Sequence, residues 1–274
     1  MFLRLEHATA HPMLDISLFR DRRFSAAAAA VTISYFALFG FIFLVTQFFQ
    51  FVRDYSALAT GTRILPVAVS IAVSSVVGGL LAPRIGVKAV VTVGMTLLGT
   101  SFLWISTMDA DAPYASVIVG QMVLLGTGLG LISTPATESI MQVLPPARAG
   151  VGSAVNDATR ELGGTLGVAV VGSLFASVYG ARLADDLAGV LPPDQLDAAQ
   201  VLGGGADAIG AQVPAGAAAT QAAFMSGMGL ACVVIGLLCL AGAALSLVAL
   251  PGNRFVAPAD RSGRRETDEV ALPL

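Results

Sequence analysis

Six long stretches of the chain contain no Asp, Glu, Lys or Arg. They are residues 24–52, 64–83, 89–108, 112–137, 162–181 and 222–250. A helix needs about 20 mostly apolar residues to cross a hydrocarbon core roughly 30 Å thick, and each stretch is long enough. A barrel strand needs only about ten alternating residues. Because continuous helices satisfy their own backbone hydrogen bonds in lipid, the pattern predicts an all-α integral membrane protein with six transmembrane helices.

Composition supports this prediction. The 274 residues are 55% hydrophobic and 12% charged, with about half the charge of an ordinary soluble domain. This excess of apolar residues excludes a single soluble globular domain. A net charge of −3 provides no basic field, so no nucleic-acid partner is expected. Cys232 and Cys239 lie in one apolar run and are interpreted as small buried hydrophobes, not as a metal site or disulfide.

Basic residues indicate the orientation of the bundle. With a cytoplasmic N-terminus, only Arg53, Arg63 and Arg182 of the 15 Lys and Arg residues lie outside, which leaves 12 inside. The positive-inside rule therefore predicts a multi-pass plasma-membrane protein with both termini in the cytoplasm. Its predicted parts are a cytoplasmic lead-in (1–23), the six-helix bundle (24–250) with an extracytoplasmic loop (182–221), and a disordered cytoplasmic tail (251–274). The fifth helix could begin as early as Asn156.

Two glycine pairs stand one helical turn apart inside predicted spans. They are Gly126 with Gly130, and Gly163 with Gly167. Such faces let helix backbones approach closely in lipid. Plain helix packing and a seam along which helices slide both fit this pattern.

The loop after the second span resembles the cytoplasmic signature of the major facilitator superfamily. The matching residues are Gly79, Leu81, Ala82, Arg84, Gly86 and Lys88. Pro83 stands where the family usually has an aspartate that helps to latch the cytoplasmic ends of helices. The resemblance implies a cytoplasmic latch that uses Gly79, Arg84, Gly86 and Lys88 with other partners.

Two further segments resemble the fourteen-spanner drug:proton antiporters of this superfamily. One has Gln47 and Gln50 followed by Asp54 to Pro66, and the other runs from Gly150 through Asn156 and Arg160 to Gly164 and beyond. With the loop motif, the resemblance covers about residues 18–250. It implies half of a major facilitator fold, namely the second of two six-helix bundles, with the first bundle absent from this chain.

The resemblance also implies a function, which is multidrug efflux of amphipathic or cationic compounds by proton antiport. The expected partners are the lipid bilayer, a drug-like small molecule, and either the missing N-terminal bundle or a second copy of the chain. No cofactor is expected, and the proton gradient supplies the coupling ion. No Ser/His/Asp pattern, phosphate loop or metal-ligand cluster is evident in the sequence, so we do not expect an enzyme.

Polar residues inside or beside the spans are the candidate functional groups, because lipid penalises them. The candidates for substrate binding are Gln47, Gln50, Gln121 and Asn156. The candidates for a gate or for proton coupling are Glu138, Asp157, Arg160 and Glu161, and Asp157 could pair with Arg160 three residues on. Interfacial hydrogen bonds and surface ion pairs are the alternative interpretation of both groups.

Several interpretations of the whole chain stay open. It could be a truncated product, a product with a wrongly assigned start, or a genuine half-transporter that works as a homodimer. It could also be a non-transporting membrane partner of a full permease. A membrane enzyme or receptor is a weaker alternative, because the sequence shows no site for one. We expect that the chain alone does not drive antiport.

Overall fold

The computed structural model describes residues 21–142, 149–187 and 214–250. These ranges form six long helices: α1 (Arg22–Gln47), α2 (Ala57–Ile85), α3 (Val87–Ile105), α4 (Val119–Gln142), α5 (Ala149–Leu187) and α6 (Pro214–Ala249). A π-helical turn at Phe48–Val52 follows α1, and another at Tyr114–Ile118 precedes α4. Six helical segments are long and apolar enough to cross a membrane, which confirms the predicted all-α fold class.

Several helices extend beyond the charge-free stretches. α2 begins at Ala57 rather than at residue 64. Ser56 caps this helix start, because its hydroxyl oxygen accepts the Ala59 N–H at 3.3 Å. α5 begins at Ala149, before Asn156, and α6 begins at Pro214, inside the predicted outer loop. Charges near a membrane surface are hydrated, so a helix can continue past the hydrocarbon and carry them. The predicted lead-in up to residue 20, the middle of the outer loop (188–213) and the predicted tail (251–274) lie outside the described residues.

Glycines of α4 bring its backbone against two neighbouring helices. A Cβ atom on Gly126 would lie 2.6 Å from the Val67 carbonyl oxygen of α2, and one on Gly130 would lie 2.6 Å from that of Ile71. Gly128 approaches the backbone of α3 in the same way, at 2.7 Å. Close helix packing is therefore the role of the first glycine pair, as one of its two interpretations predicted.

The second glycine pair fixes α5 against α1. A Cβ on Gly163 would lie 2.3 Å from the Thr32 carbonyl oxygen, and one on Gly167 would lie 2.4 Å from that of Phe36. α1 also packs against α4 and α6, and α6 packs against α3 and α5. α1 thus lies in the interior of the bundle, with a neighbour on several sides.

α2 is the most peripheral helix. It packs mainly against α4. In its most hydrophobic 18-residue segment, only 17% is buried inside the bundle. The opposite face exposes large apolar side chains: Leu58, Leu65, Val69, Val73, Val76 and Leu80. Exposure of so wide an apolar strip to water is unfavourable. In a membrane this face therefore lies against lipid or against another helical bundle.

Candidate functional site

A group of polar side chains joins α1, α4 and α5 near the predicted cytoplasmic end of the bundle. We call Tyr35, Thr137, Asn156 and Arg160 the inner polar cluster. Asn156 is only 5% exposed. The Thr137 hydroxyl donates to Asn156 Oδ1 at 3.4 Å, and Arg160 Nη2 donates to Thr137 Oγ1 at 3.2 Å. One threonine of α4 therefore connects two predicted site residues of α5.

The guanidinium of Arg160 also stacks on an aromatic ring. Its Cζ lies 5.1 Å from the ring centroid of Tyr35 on α1, within the range of a cation–π contact. Its Nε is buried and has no hydrogen-bond partner among the described residues. The Nε–H group of Arg160 is therefore available to donate a hydrogen bond to a further acceptor.

The acidic candidates are placed around this cluster. Asp157 and Glu161 lie on the exposed face of α5. The structure engages Arg160 with Thr137 and Tyr35, and no ion pair with Asp157 is present in the described part of the chain. The cause is geometric, because the side chain of Arg160 points towards α1 and α4 while that of Asp157 points away from the bundle. Glu138 is half-buried, directly after Thr137 on α4.

Gln121 lies apart from the inner polar cluster. It is 2% exposed, and its Nε2 donates to the Trp104 carbonyl oxygen at 3.2 Å. The cavity beside it measures about 20 Å³, room for about one water molecule. A drug-sized ligand needs roughly 300 Å³ or more. Of the two roles left open for Gln121, the structure shows the hydrogen bond to a neighbouring helix.

Gln47 and Gln50 lie at the opposite end of α1. Gln47 is half-buried and donates from Nε2 to the Phe43 carbonyl oxygen at 3.3 Å, while Gln50 is exposed. The π-helical turn that begins at Phe48 has i→i+5 hydrogen bonds and therefore more residues per turn than an α-helix. The simple i,i+3 spacing expected for this pair therefore does not apply, and neither glutamine joins the inner polar cluster.

An aromatic cluster at this outer end received no role from the sequence. It consists of Phe49, Tyr55, Arg63 and Tyr114, and we call it the outer aromatic cluster. Arg63 Cζ lies 4.0 Å from the Tyr55 ring centroid and 5.8 Å from that of Tyr114. The Tyr114 hydroxyl donates to the Arg63 carbonyl oxygen at 2.9 Å, and Phe49 stacks on Tyr55 at 5.7 Å. These contacts hold the outer ends of α1, α2 and α4 together.

The predicted latch motif forms the tight connection between α2 and α3. Gly86 has φ 93°, a conformation that favours glycine, and its N–H donates to the Ala82 carbonyl oxygen at 2.9 Å. Gly79 packs closely on α4, because a Cβ atom at this position would lie 3.2 Å from Thr134 Cγ2. Arg84 is exposed and Lys88 is half-buried. The glycines thus have structural roles, and the two basic residues flank the turn.

Comparison with known proteins identifies the class of this six-helix membrane protein. The sequence model of the Major Facilitator Superfamily matches residues 4–168. This is more than half of the 274 residues, so the chain belongs to that superfamily. It is a multi-pass membrane protein, as its hydrophobic pattern predicted.

Curated relatives are named as drug-efflux proteins. The multidrug resistance protein Stp of Mycobacterium tuberculosis is 36% identical over 192 residues, which cover 70% of this chain and 35% of Stp. The multidrug efflux pump LfrA of Mycolicibacterium smegmatis is 34% identical over 255 residues, 91% of this chain and 50% of LfrA. The tetracenomycin C resistance and export protein of Streptomyces glaucescens is 31% identical over 281 residues, 96% of this chain and 52% of that protein. The chain therefore spans about half or less of the length of these relatives.

Proposed function

We propose that the chain is the C-terminal six-helix bundle of a multidrug efflux permease, which exports amphipathic or cationic compounds by proton antiport. The names and lengths of the relatives support this proposal, because each aligned relative is about twice as long as the aligned segment or longer. The observation that carries it is the inner polar cluster, a set of hydrogen-bonded polar groups inside an otherwise apolar bundle.

The two sides of the bundle suit a transporter half. The exposed apolar face of α2 provides a surface for the first bundle. The inner polar cluster lies at the junction of α1, α4 and α5, where Asn156 and the Tyr35 ring offer an amide and an aromatic face. Alternating access then consists of rocking one bundle against the other. In the conformation described here, Arg160 is held by Thr137 and Tyr35, and a shift of α5 would release it.

Proton coupling is assigned to the acidic groups beside the cluster. Glu138 is half-buried and adjacent to Thr137, whereas Asp157 and Glu161 are exposed on α5. Glu138 is the first choice for the coupling residue in this bundle, because among these acids it is the one that is half-buried and adjacent to the cluster. In the orientation that the positive-inside rule predicts for this chain in the plasma membrane, the cluster faces the cytoplasm.

The proposal is tested by restoring the missing half. The DNA upstream of Met1 would be read for an in-frame segment that encodes about eight further spans, and the joined protein would be assayed for export of a cationic dye from cells lacking their own pumps. We expect export from the joined protein and none from the chain alone. Arg160→Lys keeps the charge but loses the planar fork, so it should reduce export, and the exposed control Ser153→Ala should not.

Other outcomes would replace the proposal. Export by the chain alone, with self-association shown by cross-linking, would favour a homodimeric half-transporter. Co-purification with a complete permease, without export of its own, would favour a non-transporting partner subunit. Substrate-dependent proton release from reconstituted chain alone would refute the need for a second bundle of different sequence.

A further inference from the structure

Two open grooves flank the beginning of α1. One has a volume of about 490 Å³ and is lined by α1 and α6, and the other, of about 370 Å³, is lined by α1 and α5. Ser25 and Ala29 line both grooves. The same face of α1 is therefore open on either side at this end of the bundle.

The grooves arise where the packing changes along α5 and α6. Phe175 of α5 packs on α6, with its ring centroid 4.9 Å from that of Phe224. Leu162, which lines a groove, lies thirteen residues before Phe175 on α5, about 20 Å along the helix. Here the α1 side of the grooves is formed by Ala26, Ala28 and Ala29, whose short side chains leave space beside them, whereas Ala27 and Ala30 are packed in the core.

The larger groove is lined mainly by apolar side chains, with Ser25 and Arg22 as the polar ones among its described residues. Ala26, Ala29, Leu245 and Val248 line it, and Arg22 stands at the end where α1 begins. Val248 is 84% exposed, so the outer wall of the groove faces lipid directly. The apolar part of the groove matches the acyl chain of a phospholipid, and the arginine at its mouth matches a negatively charged head group. The two parts follow each other in the same order as in the lipid.

Arg22 is the basic side chain that lines the mouth of the groove among the described residues. Arg22 is exposed. The adjacent acid, Asp21, accepts the Phe24 N–H at 3.3 Å and so caps the start of α1. Basic residues at this level of a membrane attract anionic lipids, by about 1 kcal/mol each.

We propose that an anionic phospholipid occupies the groove between α1 and α6, with an acyl chain along Ala26 and Ala29 and its phosphate against Arg22. The lipid would fill space that the alanines leave empty and would stabilise the folded chain by mass action. This proposal requires a membrane-embedded chain but not drug export, so either one can fail without the other. In the proposed orientation the lipid belongs to the cytoplasmic leaflet.

The head-group part is tested on the full chain in detergent by native mass spectrometry. Phosphatidylglycerol and phosphatidylcholine with the same acyl chains would be titrated separately. We expect about fivefold more retained phosphatidylglycerol, the factor that corresponds to one basic residue. Arg22→Gln should abolish the difference, while Arg182→Gln, an exposed arginine near the other end of α5, should preserve it. Equal retention of the two lipids, or a difference that survives Arg22→Gln, would overturn the proposal.

The acyl-chain part is tested by filling the groove. Ala29→Leu should lower the retention of phosphatidylglycerol severalfold, whereas Ala176→Leu, at an exposed position of α5, should not. Circular dichroism and melting would establish that both variants are folded. Glycerol 3-phosphate, which has the phosphate without the chains, should not raise the melting temperature. Unchanged retention in folded Ala29→Leu, or full stabilisation by glycerol 3-phosphate, would show that the groove is not the binding site.

Discussion

One methyl group at Gly163 should force α5 away from α1. A Cβ atom there would lie 2.3 Å from the Thr32 carbonyl oxygen, 3.1 Å from its carbonyl carbon and 3.2 Å from the Phe36 nitrogen. All three are backbone atoms, so no side chain can rotate to make room. Ordinary contact begins at 3.4 Å, and 3.4 minus 2.3 leaves 1.1 Å to be gained by separating the helices.

The cost of Gly163→Ala follows from this separation. Gly167 makes the same kind of contact one turn later, at 2.4 Å from the Phe36 carbonyl oxygen, so the helices must part over two turns and lose dispersion contacts. Overpacking of this kind costs about 1–3 kcal/mol. The better helix propensity of alanine returns up to about 1 kcal/mol. We expect a net loss of roughly 1–2 kcal/mol, which lowers Tm by about 2–8 °C for a chain of this size.

The assay uses the two native cysteines as reporters. Cys232 and Cys239 are 1% and 0% exposed, so a thiol-reactive fluorescent dye labels them only as the bundle melts. Gly61→Ala is the matched control, because a Cβ on Gly61 meets nothing within 4 Å, and it should leave Tm unchanged or slightly higher. If Gly163→Ala melts at or above the temperature of Gly61→Ala, the close approach of α5 to α1 described here is wrong.

Three further predictions concern single side chains. Tyr114→Phe keeps the ring but loses the hydroxyl bond to Arg63, so it should destabilise the chain by about 0.5–1.5 kcal/mol in a melting assay, and an unchanged Tm would refute this. A small maleimide should modify Cys232 and Cys239 only after denaturation in SDS, because both are buried and free, and rapid labelling of the folded chain would contradict their placement. Gln121→Met should lower Tm slightly, because it loses the hydrogen bond to Trp104, yet leave dye export by the joined transporter unchanged, and a loss of export would support the predicted role of Gln121 in substrate binding.

The six helices were predictable because the apolar requirement of a membrane span leaves a direct trace in the sequence. Their ends were not, since a charged residue marks where hydrocarbon stops and not where a helix stops. Ala57 to Arg63 shows the difference, because Arg63 bounds the charge-free stretch while the helix continues back to the Ser56 cap. The glycine pairs were also predictable in kind, but which helix each pair faces depends on the tertiary packing.

The candidate site was only partly predictable, for a related reason. Spacing within one helix suggested Asp157 as the partner of Arg160, because residues three and four apart are the neighbours that a single helix allows. The actual partners, Thr137 and Tyr35, come from two other helices. The π-helical turn before Arg53 changed the relation of Gln47 to Gln50 in the same way, since nothing in the spacing of the residues indicated its larger number of residues per turn.

The two ends of the bundle are held together by different kinds of contact. At the outer end, stacked rings and an arginine between two tyrosines join α1, α2 and α4, and these contacts include ring and guanidinium separations down to 4.0 Å. At the inner end, the hydrogen bonds of the polar cluster measure 3.2 and 3.4 Å, and open grooves flank α1. The close backbone contacts of Gly163 and Gly167 with α1 lie beside this cluster, so α5 stays against α1 there although the hydrogen bonds are long and the grooves are unfilled.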